Sequence, residues 1–130
     1  QWQAVDLYAK WTGFGLAIFL GSQWILPIMR MAGRHRQAKR FYGLHKKIGV
    51  FAPLFFYIHS MQFGYAFMVV LSTVYFSNIV LGIFSLDVVS GYIRVNRKRY
   101  GFWWMLLHVA LSFLTMGLMV YHIYIAFAYK

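Results

Sequence analysis

The sequence predicts an all-α membrane protein, a four-transmembrane-helix bundle in which residues 1–130 form a single domain. Hydrophobic residues make up 62% of the chain and charged residues only 12%, whereas soluble domains carry about 25% charged residues. A membrane-spanning helix needs about 20 apolar residues. The 130 residues therefore allow four crossings with short loops, and we expect no attached soluble catalytic domain.

Four apolar runs predict the helices, at residues 11–29, 43–64, 66–86 and 102–129. Backbone polar groups in lipid must be paired within the segment, which favours helices over the strand pattern of a closed barrel. In the first run, Gly13, Ala17 and Gly21 share one face, a small-residue pattern that lets helices approach closely. Pro53 removes a backbone hydrogen bond inside the second run and predicts a kink there.

The last two runs complete the predicted bundle. Residues 60–65 provide the turn between the second and third runs. The third run contains no ionisable residue before Asp87, so we interpret it as structural.

The absence of cysteine excludes disulfides, thiolate-bound iron–sulfur clusters, cysteine nucleophiles and the covalent attachment of c-type haem.

Positive charge is concentrated between the runs. The net charge of +11 comes from thirteen Lys and Arg residues against Asp6 and Asp87. Such clusters between apolar runs mark cytoplasmic loops, so both termini and the 60–65 turn are predicted to face outside, on the periplasmic or equivalent side. This distribution favours membrane topology over nucleic-acid binding. Eleven of the thirteen cations lie in the two clusters: Arg30, Arg34, Arg36, Lys39, Arg40, Lys46 and Lys47, then Arg94, Arg97, Lys98 and Arg99.

Four histidines repeat one spacing on two runs. His45 and His59 lie fourteen positions apart on the second run, and His108 and His122 lie fourteen apart on the fourth. Fourteen helical steps return to within about 40° of the starting direction and rise about 21 Å. The two runs are expected to be parallel, because both lead from the inner to the outer side. His45 should therefore lie level with His108, and His59 with His122.

Two histidines at each level suit the two axial positions of a haem iron, since neutral imidazole is the commonest metal ligand. Zinc instead prefers four ligands in a tetrahedron. A proton relay usually recruits Asp or Glu, and the four runs contain neither. A lone histidine in an apolar helix is ordinarily a hydrogen-bonded packing residue, but the repeated spacing favours two bis-histidine haem b groups.

Other residues are candidate cofactor contacts. Small side chains beside a ligand leave room for a flat macrocycle, and Gly49, Ser112 and Thr115 meet this need on the ligand faces. Phe55 and Phe56 are candidate ring contacts, with plain packing as the alternative. His35 is predicted to be a solvated loop residue. Cations pair with carboxylates such as haem propionates, which makes candidates of five residues that topology also explains: Arg34, Arg36, Lys46, Arg94 and Arg97.

The segments Gly-Leu-His-Lys-Lys-Ile-Gly at 43–49 and Arg-Lys-Arg-Tyr-Gly-Phe-Trp-Trp at 97–104, together with the paired histidines, resemble the ferric reductase-like transmembrane domain. That superfamily includes ferric reductases, NADPH oxidases and related bacterial haem-binding membrane subunits. The resemblance covers residues 43–129. It implies two stacked b-type haems between helices 2 and 4, bound by His45 with His108 and by His59 with His122, and electron flow from a cytoplasmic flavin through the inner to the outer haem.

The chain departs from the larger family members, because it lacks their flavin and nicotinamide domains and has four runs where six are usual. No Gly-rich dinucleotide fingerprint is present. We therefore expect an electron-transfer subunit, without catalytic residues of its own, that works in the lipid membrane with a flavoprotein, a cytochrome or other subunits of a redox complex. The alternatives are a quinol-oxidising or quinone-reducing cytochrome b subunit and a haem-bearing anchor of a larger complex.

Overall fold

The computed structural model describes residues 6–60 and 64–129, and every regular element in these two ranges is a helix. Seven helices occur there: α1 Asp6–Gln23, α2 Ile25–Met31, α3 His35–Gly49, α4 Ala52–His59, α5 Phe67–Ile83, α6 Leu86–Tyr92 and α7 Arg97–Ala128. The all-α prediction is confirmed. The chain divides into two compact units, Gln1–Gln62 and Phe63–Lys130.

Two helical stretches of the described residues, Asp6–Met31 and Arg97–Ala128, are long and apolar enough to span a membrane. A third qualifies if α5 and α6, which meet at a bend of 54°, count as one span. Large apolar side chains stand exposed along these helices, Trp11 and Phe127 among them. Exposed apolar surface of this extent marks a membrane or interaction surface, so the chain has the character of a membrane protein.

In the first unit, the predicted run 11–29 is divided at Trp24 into α1 and α2. Pro27 lacks a backbone N–H, so it removes the hydrogen bond that the Gln23 carbonyl would accept in a continuous helix. The chain passes the interruption in a tight turn, with the Trp24 N–H donating to the Gly21 carbonyl at 3.1 Å. At the start of α1, Lys10 forms an ion pair with Asp6 at 2.6 Å.

The second predicted run, 43–64, is not one kinked helix. It is divided between α3 and α4 by a break at Val50 and Phe51. Pro53 lies in the first turn of α4, where a missing N–H costs little because the first N–H groups of a helix have no partner in any case. Counting helical steps requires an unbroken helix, so the count does not extend across this break, and the prediction that His45 and His59 share one helical face stays a prediction.

Two further predictions concern residues close to helix ends. His35, predicted to be a solvated loop residue, is the first residue of α3, although it remains exposed. The predicted turn 60–65 falls partly outside the described residues. Its last described part contains Gly64 with a φ of 74°, a left-handed conformation that favours glycine.

In the second unit, α5 and α6 both pack against α7. Helix α7 is a single element of 32 residues, and it begins five residues earlier than the predicted run 102–129. Asn96 caps it by accepting a hydrogen bond from the Arg99 N–H at 3.2 Å, which pairs one of the free donors of the first turn. The Tyr100 hydroxyl donates to the Phe84 carbonyl at 2.6 Å and ties α7 to the end of α5.

Candidate functional site

His59, at the end of α4, lies against α1. Its Nδ1 is 3.2 Å from Oγ1 of Thr12, and the Thr12 hydroxyl donates to the Tyr8 carbonyl at 2.8 Å. Because the Thr12 hydroxyl proton is directed to that carbonyl, Oγ1 is suited to accept a proton from Nδ1. In that tautomer the ring lone pair lies on Nε2, the nitrogen that would bind a metal. A second bond fixes the same helix pair, from the Tyr8 hydroxyl to the Ile58 carbonyl at 3.1 Å.

Gly13 provides the space for the His59 ring. A Cβ atom at this position would lie 3.0 Å from Cε1 of His59, which is closer than ordinary packing allows. The small-residue face predicted from Gly13, Ala17 and Gly21 is thus confirmed at Gly13. At Gly21 a Cβ atom would meet no atom within 4 Å.

Gly13→Ala is expected to destabilise the first unit by about 1–3 kcal/mol, the usual cost of overpacking, because the imidazole must move away from Thr12. Gly15→Ala is the matched control, since a Cβ at Gly15 meets nothing within 4 Å. Thermal unfolding of the purified variants in detergent measures the difference. A Gly13→Ala protein as stable as the Gly15→Ala protein would contradict this packing role.

His45, on α3, faces the junction of α1 and α2. The backbone of Gln23 is in hydrogen-bonding contact with its imidazole. The Gln23 carbonyl has no helical N–H partner, because the residue four positions later is Pro27. The interruption that proline imposes on the first span thus supplies the acceptor for His45. Nδ1 of His45 is shielded from solvent, and the ring borders a small cavity of about 70 Å³.

His108, on α7, lies between its own helix and α5. Its ring stacks on Trp104 with 5.2 Å between the ring centroids and 11° between the planes. The Trp104 indole is itself fixed, because its Nε1 donates to the Leu81 carbonyl at 2.7 Å. A Cβ atom at Gly82 would lie 3.4 Å from Cε1 of His108, so glycine lets α5 approach the imidazole closely.

Ser112, predicted as a cofactor contact, joins α7 to α5. Its hydroxyl donates to the His108 carbonyl at 2.7 Å and accepts from Nδ2 of Asn78 at 3.0 Å. Thr115 is buried and donates to the Leu111 carbonyl at 2.7 Å. Both side chains therefore have their hydroxyl protons committed to the backbone of α7.

His122 lies on the same unbroken helix as His108, as predicted for the fourth run. Both imidazoles are half-buried, and Nδ1 of each is shielded from solvent. For α7 the helical count is valid, so the two rings lie within about 40° of one direction and about 21 Å apart along the axis.

The other predicted contacts are placed as follows. Phe55 stacks on Phe19 of α1 with 4.4 Å between ring centroids, and Phe56 is half-buried. Gly49 is half-buried, and a Cβ atom there would meet nothing within 4 Å. Among the candidate cations, Arg34, Arg36 and Arg94 are exposed, Arg97 donates to Ser90 at 3.3 Å, and Lys46 lies over the Tyr42 ring.

Sequence reasoning missed four residues that position the imidazoles, namely Thr12, Asn78, Gly82 and Trp104. The position of Asn78 could have been noticed in the sequence, since a lone amide in an apolar helix often forms a hydrogen bond to a neighbouring helix. The contacts of Thr12 and Gly82 could not be predicted from the sequence, because they depend on which helices pack together.

Within residues 6–60 and 64–129, no three His, Asp or Glu side chains form a cluster able to hold a metal ion. A bis-histidine haem requires only two protein ligands per iron. The predicted pairing of His45 with His108 and of His59 with His122 joins residues of the two units, and it stays a prediction.

The comparisons with known proteins give no relative for the chain. No protein-family model, no curated protein and no solved structure matches it.

Proposed function

We propose that this chain is a di-haem b cytochrome subunit of a membrane redox complex, relaying electrons between a separate donor and a separate acceptor. The observation that carries the proposal is the repeated fourteen-residue spacing of four histidines, all of them half-buried. His59, His108 and His122 lie in mainly apolar helices, whereas His45 lies in the basic helix α3. Intramembrane ionisable residues are functional by default, and the histidines repeat one sequence spacing in both predicted runs.

The imidazole nitrogens are suitable ligands for the iron of haem b. A metal-ligating histidine usually has its second ring nitrogen held by a protein acceptor, which orients the ring and raises its basicity. Thr12 holds His59 in this way, and the Gln23 backbone contacts His45. Haem would supply reversible one-electron chemistry at iron, with His45 and His108 as one ligand pair and His59 and His122 as the other.

The remaining residues of the site orient these ligands and exclude water. Trp104 fixes the plane of the His108 ring by stacking, and Gly82 allows α5 to cover its edge. With two histidine ligands each, the irons would have no coordination position left, so we expect neither oxygen nor a substrate to bind the metal directly.

The proposal includes an orientation and partners. The two basic clusters face the cytoplasm, where Arg34, Arg36, Lys46, Arg94 and Arg97 would pair with haem propionates or with an acidic flavoprotein or cytochrome. A separate donor is part of the proposal because the sequence has no dinucleotide fingerprint.

The test is the cofactor content of the purified chain. Protein produced with haem available is expected to bind two haems per chain and to give a low-spin b-type spectrum on reduction. Quinol oxidation by the same preparation would favour the cytochrome b alternative, whereas bound haem without electron transfer to any acceptor would favour an anchor. A chain that binds no haem would refute the proposal and both alternatives.

A further inference from the structure

A cation-lined cavity lies between α2 and α3, apart from the four histidines proposed as ligands. Its volume is about 290 Å³, and Arg30, His35, Ala38, Lys39 and Tyr42 line it. Small-molecule sites begin at about 300 Å³, so the cavity is of a size for a headgroup rather than for a macrocycle.

We propose that this cavity binds the phosphate group of an anionic phospholipid. Arg30 and Lys39 converge on it from two helices, and no carboxylate is among the residues that line it. Arginine matches the geometry of phosphate oxygens and lysine supplies a compact charge. Such a pair without a protein counter-ion favours an anionic ligand.

The charge of the first unit strengthens this argument. The sequence holds only two acidic residues. Asp6 is paired with Lys10 at 2.6 Å, and Asp87 belongs to the other unit. The cations at the cavity therefore have no second acidic residue in their own unit to neutralise them.

Tyr42 holds positive charge in place at the cavity. The Arg30 guanidinium lies 5.7 Å from the centre of the Tyr42 ring, and the Lys46 ammonium lies 5.4 Å from it. Both distances are within the range of cation–π attraction, which offsets part of the repulsion between the two cations. The ring therefore keeps Arg30 beside the cavity before any ligand binds.

The position of the cavity indicates a lipid as the source of the phosphate. Arg30 lies one residue before the end of the membrane-spanning stretch Asp6–Met31, and the end of such a stretch meets the headgroup layer. Basic pockets between helices at a membrane surface are typical headgroup sites. The inference does not depend on haem binding.

The experiment measures lipid retention. The full chain is purified from nanodiscs containing equal parts of phosphatidylglycerol and phosphatidylcholine, and the bound lipids are counted by native mass spectrometry. We expect the wild type to retain phosphatidylglycerol selectively, and Arg30→Gln or Lys39→Gln to lower its apparent affinity about tenfold or more, the size of effect expected for a lost hydrogen bond to a charged group. The matched control is Arg40→Gln, which removes the same charge from an exposed residue of α3 that does not line the cavity.

A second pair of variants tests the role of the ring. Tyr42→Phe keeps the aromatic face and should retain the lipid, whereas Tyr42→Leu loses it and should weaken retention. If Arg30→Gln fails to fold, Arg30→Lys replaces it. This variant keeps the positive charge but lacks the planar guanidinium, so we expect a smaller loss of lipid affinity. Thermal unfolding in detergent without lipid identifies variants that are merely unstable.

Three results would overturn the inference. One is an equal loss of phosphatidylglycerol in Arg40→Gln and Lys39→Gln, which would show that net charge alone attracts the lipid. Another is unchanged retention in all the variants. The third is displacement of the lipid by millimolar inorganic phosphate with no preference for phosphatidylglycerol, which would identify soluble phosphate as the ligand.

Discussion

His59→Ala is expected to lower the haem content of the purified chain from two haems to one, and His122→Ala is expected to remove the same haem. Each variant takes away one axial imidazole of the proposed outer pair, and a macrocycle bound through a single ligand is readily lost in detergent. His45→Ala and His108→Ala should remove the other haem. The measurement is haem per chain, with a redox titration to show which of the two potentials disappears.

The controls are truncations of similar size on the same helices. Leu54 on α4 and Val120 on α7 are exposed apolar residues, so Leu54→Ala and Val120→Ala should retain both haems. A reduced spectrum that is identical in the wild type and in all four histidine variants would show that these imidazoles are not ligands. If His59→Ala and His122→Ala removed different haems, the proposed pairing would be wrong although the ligands were right.

Reconstituted in liposomes, the isolated chain should pass electrons from dithionite inside to ferricyanide outside, and His59→Ala should abolish most of this current. The two histidine levels on α7 lie about 21 Å apart, a large part of the roughly 30 Å of hydrocarbon. Removing either level therefore leaves a gap across which transfer is slow. The measurement is ferricyanide bleaching after dithionite is trapped inside.

The same liposomes test the need for a separate donor. NADPH added on either side should not be oxidised, because the chain has no dinucleotide-binding fingerprint. Rapid NADPH oxidation by the chain alone would refute the proposal that a separate protein supplies the electrons. Failure of transmembrane reduction in protein that holds both haems would exclude the relay while leaving haem binding intact.

The helical character of the chain could be predicted from composition and apolar runs, and α7 shows why. Its residues contain no proline, so a hydrophobic run translates into one unbroken helix on which His108 and His122 keep their helical phase. The run with His45 and His59 contains Pro53, for which a sequence permits either a kink or a break. The structure has the break, so the helical count no longer relates the directions of these two histidines.

The surroundings of the imidazoles were less predictable. Thr12 and Gly13 are 47 and 46 positions from His59 in sequence, and only the packing of α1 on α4 brings them to its ring. The Gln23 contact of His45 depends on a carbonyl that becomes available because Pro27 interrupts the first span. Local periodicity identifies which residues share a helix face, but it does not identify the helix that covers this face.

The length of α7 has a consequence for how the chain fits a bilayer. Its 32 residues extend about 48 Å, well beyond a hydrocarbon layer of about 30 Å. The exposed aromatic residues Trp103 and Tyr124 lie about 32 Å apart along the axis, which matches that layer, and such residues anchor at its two interfaces. Hydrophobic mismatch would thereby be absorbed at the ends of α7 rather than by a strong tilt, since the exposed Arg97 and Arg99 lie before Trp103, outside the span between the two aromatic residues.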